Sequence, residues 1–99
     1  MPRSITIRGR RWFQKSYGNT YYTASIFVDG KQVHSFPESY GYGDQYEDAA
    51  WRWLAEQGYV APEQYQWGGL ASPRRYCQNH GITYLASVSQ VARERDLRN

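Results

Sequence analysis

The sequence predicts an α+β fold: an antiparallel sheet of about four strands with two helices packed on one face, in the order β-β-β-α-α-β. Three observations carry this expectation. Residues 4–36 alternate apolar and polar side chains and break at Gly18-Asn19 and at Asp29-Gly30. Residues 45–57 change to helical spacing. Residues 82–91 return to alternation. The length of 99 residues suits one domain, which is expected to cover the whole chain.

The first strand is read from Ser4 to Phe13. Ile5, Ile7 and Phe13 fall on one face, and Thr6, Arg8, Arg10 and Trp12 on the other. Gly9 marks a soft spot where a bulge is expected. The second strand spans Thr20 to Val28, with Tyr22, Ala24, Ile26 and Val28 opposed to Tyr21, Thr23, Ser25 and Phe27. Asp29-Gly30 is the signature of a two-residue type I′ turn. A turn there pairs Val28 with Lys31, Ile26 with Val33, Ala24 with Ser35, Ser25 with His34 and Thr23 with Phe36. Pro37 ends the third strand or marks it as an edge.

Asp44, with Glu47 three residues on, forms a capping box, so a helix should start at Gln45. Tyr46, Ala49, Ala50, Trp53, Leu54 and Gln57 make its inward face, Trp51 points elsewhere, and Gly58 stops it. Residues 59–71 form a connector, with a helical turn expected at Glu63–Trp67. Ser72-Pro73 then caps a short helix to about Asn79, with Tyr76 and Cys77 inward and Gly81 as the stop. Ile82 to Val91 is the fourth strand, and the charged residues 93–99 are expected to fray.

Composition narrows the function. Seventeen residues are aromatic, ten of them tyrosine, more than one small core can hold, so several rings must reach the surface. Charge is segregated. Residues 1–28 carry five basic groups and no acid, residues 29–63 balance at −5, and residues 64–99 at +3. The cations are mostly arginine, which suits bidentate contact with phosphate or carboxylate. The single cysteine forbids an internal disulfide, no apolar run reaches membrane-spanning length, and Met1-Pro2-Arg3-Ser4-Ile5 has no apolar core of the kind a secretory signal needs, so none is expected. These features lead us to expect a cytoplasmic protein without membrane contact.

No metal site, cofactor or catalytic residue is expected. His34 and His80 share no ligand spacing with other donors. Cys77 is read as a small core residue, with Arg74 and Arg75 its only activating neighbours in sequence. Glu47 and Asp48 are adjacent on a helix and diverge too far to work as an acid–base pair. The loop Tyr40-Gly41-Tyr42-Gly43 lacks the lysine and third glycine of a phosphate loop, and Asp44 places a negative charge where a phosphate would sit.

Two constellations favour binding instead. Arg8, Arg10 and Trp12 alternate on one strand face, with Arg11 and Lys15 nearby. Such a surface stacks bases and pairs with phosphates. Ser72-Pro73-Arg74-Arg75 combines a helix start with two cations. The plainer reading of both is a solvated basic face, with Trp12 covered.

Gly9-Arg10-Arg11-Trp12-Phe13, Tyr17-Gly18-Asn19-Thr20-Tyr21 and Tyr40-Gly41-Tyr42-Gly43-Asp44-Gln45-Tyr46 resemble small accessory proteins of tailed bacteriophages, over most of residues 5–58. The resemblance implies a host-cell cytoplasm and roles such as blocking a host defence or binding nucleic acid. It carries over no catalytic residue. The resulting expectation is a non-enzymatic accessory protein that binds nucleic acid or a nucleotide through Arg8, Arg10, Arg11, Trp12, Tyr40, Tyr42, Arg74 and Arg75. The alternative is an inhibitor that binds a host protein through the acidic, tyrosine-rich segment around Glu38, Asp44, Glu47 and Asp48. A homodimer paired through an exposed third or fourth strand is a further expectation.

Overall fold

The computed structural model describes residues 2–41, 43, 45–61 and 73–98. β1 (Ser4–Gln14), β2 (Asn19–Val28), β3 (Lys31–Tyr40), α1 (Gln45–Glu56), α2 (Pro73–Asn79) and β4 (Thr83–Val91) follow one another in the expected order. A 3-10 helix, Glu94–Arg98, closes the chain. The four strands form one sheet in the order β3-β2-β1-β4.

The α+β architecture is as expected, but the sheet is mixed rather than wholly antiparallel. β4 runs parallel to β1, from Ser4 beside Thr83 to Trp12 beside Val91. The turn after α2 decides this direction. The Ile82 amide bonds back to the Cys77 carbonyl at 2.8 Å, and Thr83 N–H then donates to the Arg3 carbonyl at 2.9 Å. The chain therefore leaves α2 at the end of the sheet where β1 begins.

Asp29 and Gly30 form the expected tight turn, both with positive φ (52° and 81°). β1 and β2 pair without interruption from Ile5–Val28 to Gln14–Asn19, so no bulge forms at Gly9. A Cβ at Gly9 would lie 2.7 Å from the Tyr46 ring, so this glycine lets α1 approach the sheet closely.

The β2–β3 register departs from expectation. Val28 faces Lys31 as the turn requires, but two irregularities follow, so Ile26 faces His34 and Ala24 faces Phe36. The first inserts Val33 as an extra residue. It turns His34 and Phe36 toward the helices, where His34 stacks on Trp53 with centroids 4.4 Å apart. The second lies at Pro37, within an edge strand that continues to Tyr40.

The core lies between the sheet and the two helices. Ile5, Ile7, Tyr22, Ala24, Ile26 and Val28 form its floor, and Tyr46, Ala50, Leu54, Tyr76 and Cys77 its roof. Each fully buried isoleucine or leucine contributes roughly 1.5–3 kcal/mol of transfer free energy. Trp51, expected to point away, is only 3% exposed. Its ring meets Tyr76 edge-on at 5.5 Å and Tyr84 at 6.2 Å, so α2 and β4 wall in a helix face that α1 alone would leave wet. The expected Asp44 cap and the turn at Glu63–Trp67 lie outside the described residues. Glu47 accepts a hydrogen bond from the Tyr84 hydroxyl, which ties α1 to β4. Among the described residues, no helix is long and apolar enough to cross a membrane.

The charged tail is a further correction: residues 94–98 are folded, not frayed. Leu97 is 2% exposed yet stands outside the main core cluster. The 3-10 helix contacts all four strands and rests on the sheet face that α1 and α2 leave uncovered.

Candidate nucleic-acid or nucleotide interface

Strand alternation decides which side chains reach that second face. In β1 these are Thr6, Arg8, Arg10 and Trp12; their cross-strand partners in β2 are Phe27, Ser25, Thr23 and Tyr21. β4 adds Leu85, Ser87, Ser89 and Val91, opposite Thr6, Arg8, Arg10 and Trp12. The result is a concavity of about 590 Å³. Arg8 and Arg10 line its floor together with the hydroxyls of Thr23, Ser25, Ser35, Ser87 and Ser89, and Leu97 closes one side.

The two arginines differ. Arg8 is exposed, and its guanidinium carbon lies 5.3 Å from the centre of the Phe27 ring. A cation held over a ring keeps its N–H groups free for a second partner. Arg10 is half-buried, and its Nη1 donates to the Asp96 carbonyl at 3.2 Å. The Thr23 hydroxyl donates to the neighbouring Leu97 carbonyl. Two polar residues of the groove thus hold the 3-10 helix in place.

An aromatic row borders the arginines. Trp12 stacks on Tyr21 with centroids 6.0 Å apart and planes at 26°. Tyr21 meets Tyr40 edge-on at 5.8 Å. Trp12 is half-buried, and Tyr40 is 63% exposed at the rim. Glu38 also lines the groove, and one of its carboxylate oxygens is buried without a hydrogen-bond partner among the described residues.

Of the residues singled out from the sequence, Arg8, Arg10, Trp12 and Tyr40 share this face. Arg11 does not. It sits opposite Tyr22 on the helix side, where its Nη1 donates to the Gly43 carbonyl at 2.9 Å and steadies the Tyr-Gly loop. Arg74 and Arg75 are exposed on α2, whose inner residues Tyr76 and Cys77 pack into the core on the far side of the sheet. Tyr42 lies outside the described residues. Sequence reasoning missed Phe27, Tyr21 and the hydroxyl carpet as parts of the site. The signal was present: once the β1–β2 hairpin is paired, Phe27, Ser25, Thr23 and Tyr21 must share a face with Arg8, Arg10 and Trp12.

Burial pushes the Cys77 thiol up to about 11, and Cys77 is 1% exposed. Burial, and then the Glu47 carboxylate beside it, push the Tyr84 phenol far above its usual range. Among the described residues, no three His, Cys, Asp or Glu side chains come together as a metal site would require. No family model matches the chain, and no curated protein or solved structure matches it.

Proposed function

We propose that this chain is a non-enzymatic binding protein for a nucleotide unit, either free or within a single-stranded nucleic acid, and that the open sheet face is its site. The observation that carries this reading is that Arg8 and Arg10, which line the groove, share one sheet face with the Trp12–Tyr21–Tyr40 row that borders it. Phosphate oxygens accept from the two guanidinium groups and from the serine and threonine hydroxyls. A base stacks on the aromatic row, a contact worth about 1–3 kcal/mol. Glu38 accepts from a sugar hydroxyl or an exocyclic amine. The groove's size, about 590 Å³, falls within the range of roughly 300–1,000 Å³ typical of small-ligand sites.

The resemblance to phage accessory proteins supports placing this binding in a host cell, where holding a nucleotide or a strand away from its receptor counters a host defence. The acidic protein-binding alternative draws less support, because Glu47 is engaged by Tyr84. Isothermal titration at low salt against mononucleotides, cyclic nucleotides and short single strands tests the reading. Binding lost in Arg8→Ala and Trp12→Ala supports it. No binding to any of these probes by the intact chain overturns it.

A further inference from the structure

The two edges of the sheet are built differently. β3 carries Pro37, two register irregularities and the charged residues Lys31 and Glu38, features that discourage another strand from pairing. β4 has none of these. Its nine residues, Thr-Tyr-Leu-Ala-Ser-Val-Ser-Gln-Val, include no charge, no proline and no glycine, and its pairing with β1 is regular throughout. Among the described residues, β1 is its only sheet neighbour. An edge strand of this length and composition presents a row of unpaired N–H and C=O groups to a partner.

We propose that the partner is a second copy of this chain, whose β4 pairs antiparallel with the first about a two-fold axis at Ser87, perpendicular to the sheet. Full overlap of the nine residues puts the axis at their midpoint. Ser87 then faces its own copy, Ala86 faces Val88, Leu85 faces Ser89 and Tyr84 faces Gln90. Every pair joins residues from the same side of the sheet, so the helices of both copies stay on one face. A strand without charge meets itself with no like-charge opposition. Leu85, 58% exposed in the single chain, gains cross-strand cover at the seam. A closed two-fold contact also leaves only the protected β3 edges outside, so pairing stops at two.

The pairing reaches the groove. Ser87 and Ser89 line it and lie along the seam, so the Arg8 and Arg10 grooves of the two copies become neighbours on one continuous surface. The dimer itself rests on β4 alone and holds whether or not the groove takes a nucleotide.

Light scattering on the intact chain, from micromolar to millimolar concentration, should read twice the 11.6 kDa chain mass at the upper end. Ser87→Glu and Ser87→Lys each place like charges across the axis and should hold the chain as a monomer at those concentrations. Mixing the two variants should restore the dimer mass as a heterodimer, which a folding defect would not do. Ser87→Cys should form an intermolecular disulfide under mild oxidation, and Ser35→Cys, exposed on β3, should not. A monomeric mass throughout the range, dimers that persist in both charge variants, failure of the mixture to recover, or equal cross-linking at the two cysteine positions would each overturn the pairing.

Discussion

Arg10 and Asp96 are 86 residues apart in sequence, yet the Arg10 guanidinium donates to the Asp96 backbone carbonyl at 3.2 Å. This contact joins the middle of β1 to the last turn of the chain. It places the C-terminal segment over one end of the groove and engages one of the groove's two cations. Arg10 still has donors beyond Nη1, because a guanidinium carries five N–H groups. The segment therefore narrows the groove without neutralising it.

Ending the chain at Arg93 should separate packing from access. The truncation removes the buried Leu97 side chain, so the unfolding free energy should fall, by about 2–5 kcal/mol if the loss resembles a buried leucine cut to alanine. Arg10 and Thr23 both lose their carbonyl acceptors and face the groove. At a temperature where both forms are folded, nucleotide affinity should be equal to or above that of the intact chain. A truncated chain that is stable but no longer binds would mean that the segment forms part of the ligand contact.

Salt should distinguish the parts played by Arg8 and Trp12. For single strands, the logarithm of affinity falls with the logarithm of salt by roughly 0.7 per neutralised phosphate. Arg8→Ala should weaken binding and flatten that slope by about one phosphate's share. Trp12→Ala should weaken binding by roughly 1–3 kcal/mol, the range for a stacked base, and leave the slope unchanged. The measurement is a titration series over several salt concentrations. Equal slopes in wild type and Arg8→Ala would remove Arg8 from phosphate contact.

Gly9→Ala tests how closely α1 sits on the sheet. The new methyl would lie 2.7 Å from Cδ2 and 2.9 Å from Cγ of the Tyr46 ring, inside any normal contact. Because Tyr46 is buried, the ring cannot swing into solvent without giving up packing. The expected cost is about 1–3 kcal/mol in urea denaturation, as for other overpacked sites. Replacing Tyr46 by leucine in the same chain should recover part of that loss, because neighbouring substitutions couple.

Much of this architecture was legible in the sequence wherever the determinants were local. The Asp29-Gly30 turn, the start of α1 at Gln45, the span of α2 and the faces of β1, β2 and β4 each depend on neighbours a few residues away. The rest depended on contacts far along the chain. In β3, Val33 and His34 are both able to face a core, so alternation alone did not locate the bulge at Val33. Trp51 is covered by Tyr76 and Tyr84, which come much later. The direction of β4 is not written in its alternation, which reads the same for parallel and antiparallel pairing. The tail Arg93-Glu94-Arg95-Asp96-Leu97-Arg98 has one apolar residue in six, and only the open face of the finished sheet gives Leu97 somewhere to go. Of the candidate site, the alternation of Arg8, Arg10 and Trp12 was visible within β1, whereas the addition of Phe27 and Tyr21 to that face required the β1–β2 pairing.

The turn at Asp29 makes a prediction about acid stability. Its Oδ1 accepts from the Arg3 amide at 2.7 Å and from the Ser4 amide at 3.0 Å, which ties the start of β1 to the β2–β3 turn. The Ser4 bond, and then the Arg3 bond, hold this carboxyl below its ordinary value of 3.8. A carboxyl whose folded value is lowered stabilises the fold at any pH above the unfolded value, and that contribution is lost as pH falls through the folded value. An asparagine in place of Asp29 keeps an acceptor oxygen and tolerates the positive φ of this position, but it carries no charge. Asp29→Asn should therefore be less stable than wild type from neutral pH down to about 5, and the gap should close as pH drops below 3.8. Urea midpoints for both proteins across that range provide the check. A gap that stays constant with pH would mean that the charge on Asp29 contributes nothing to holding the strand.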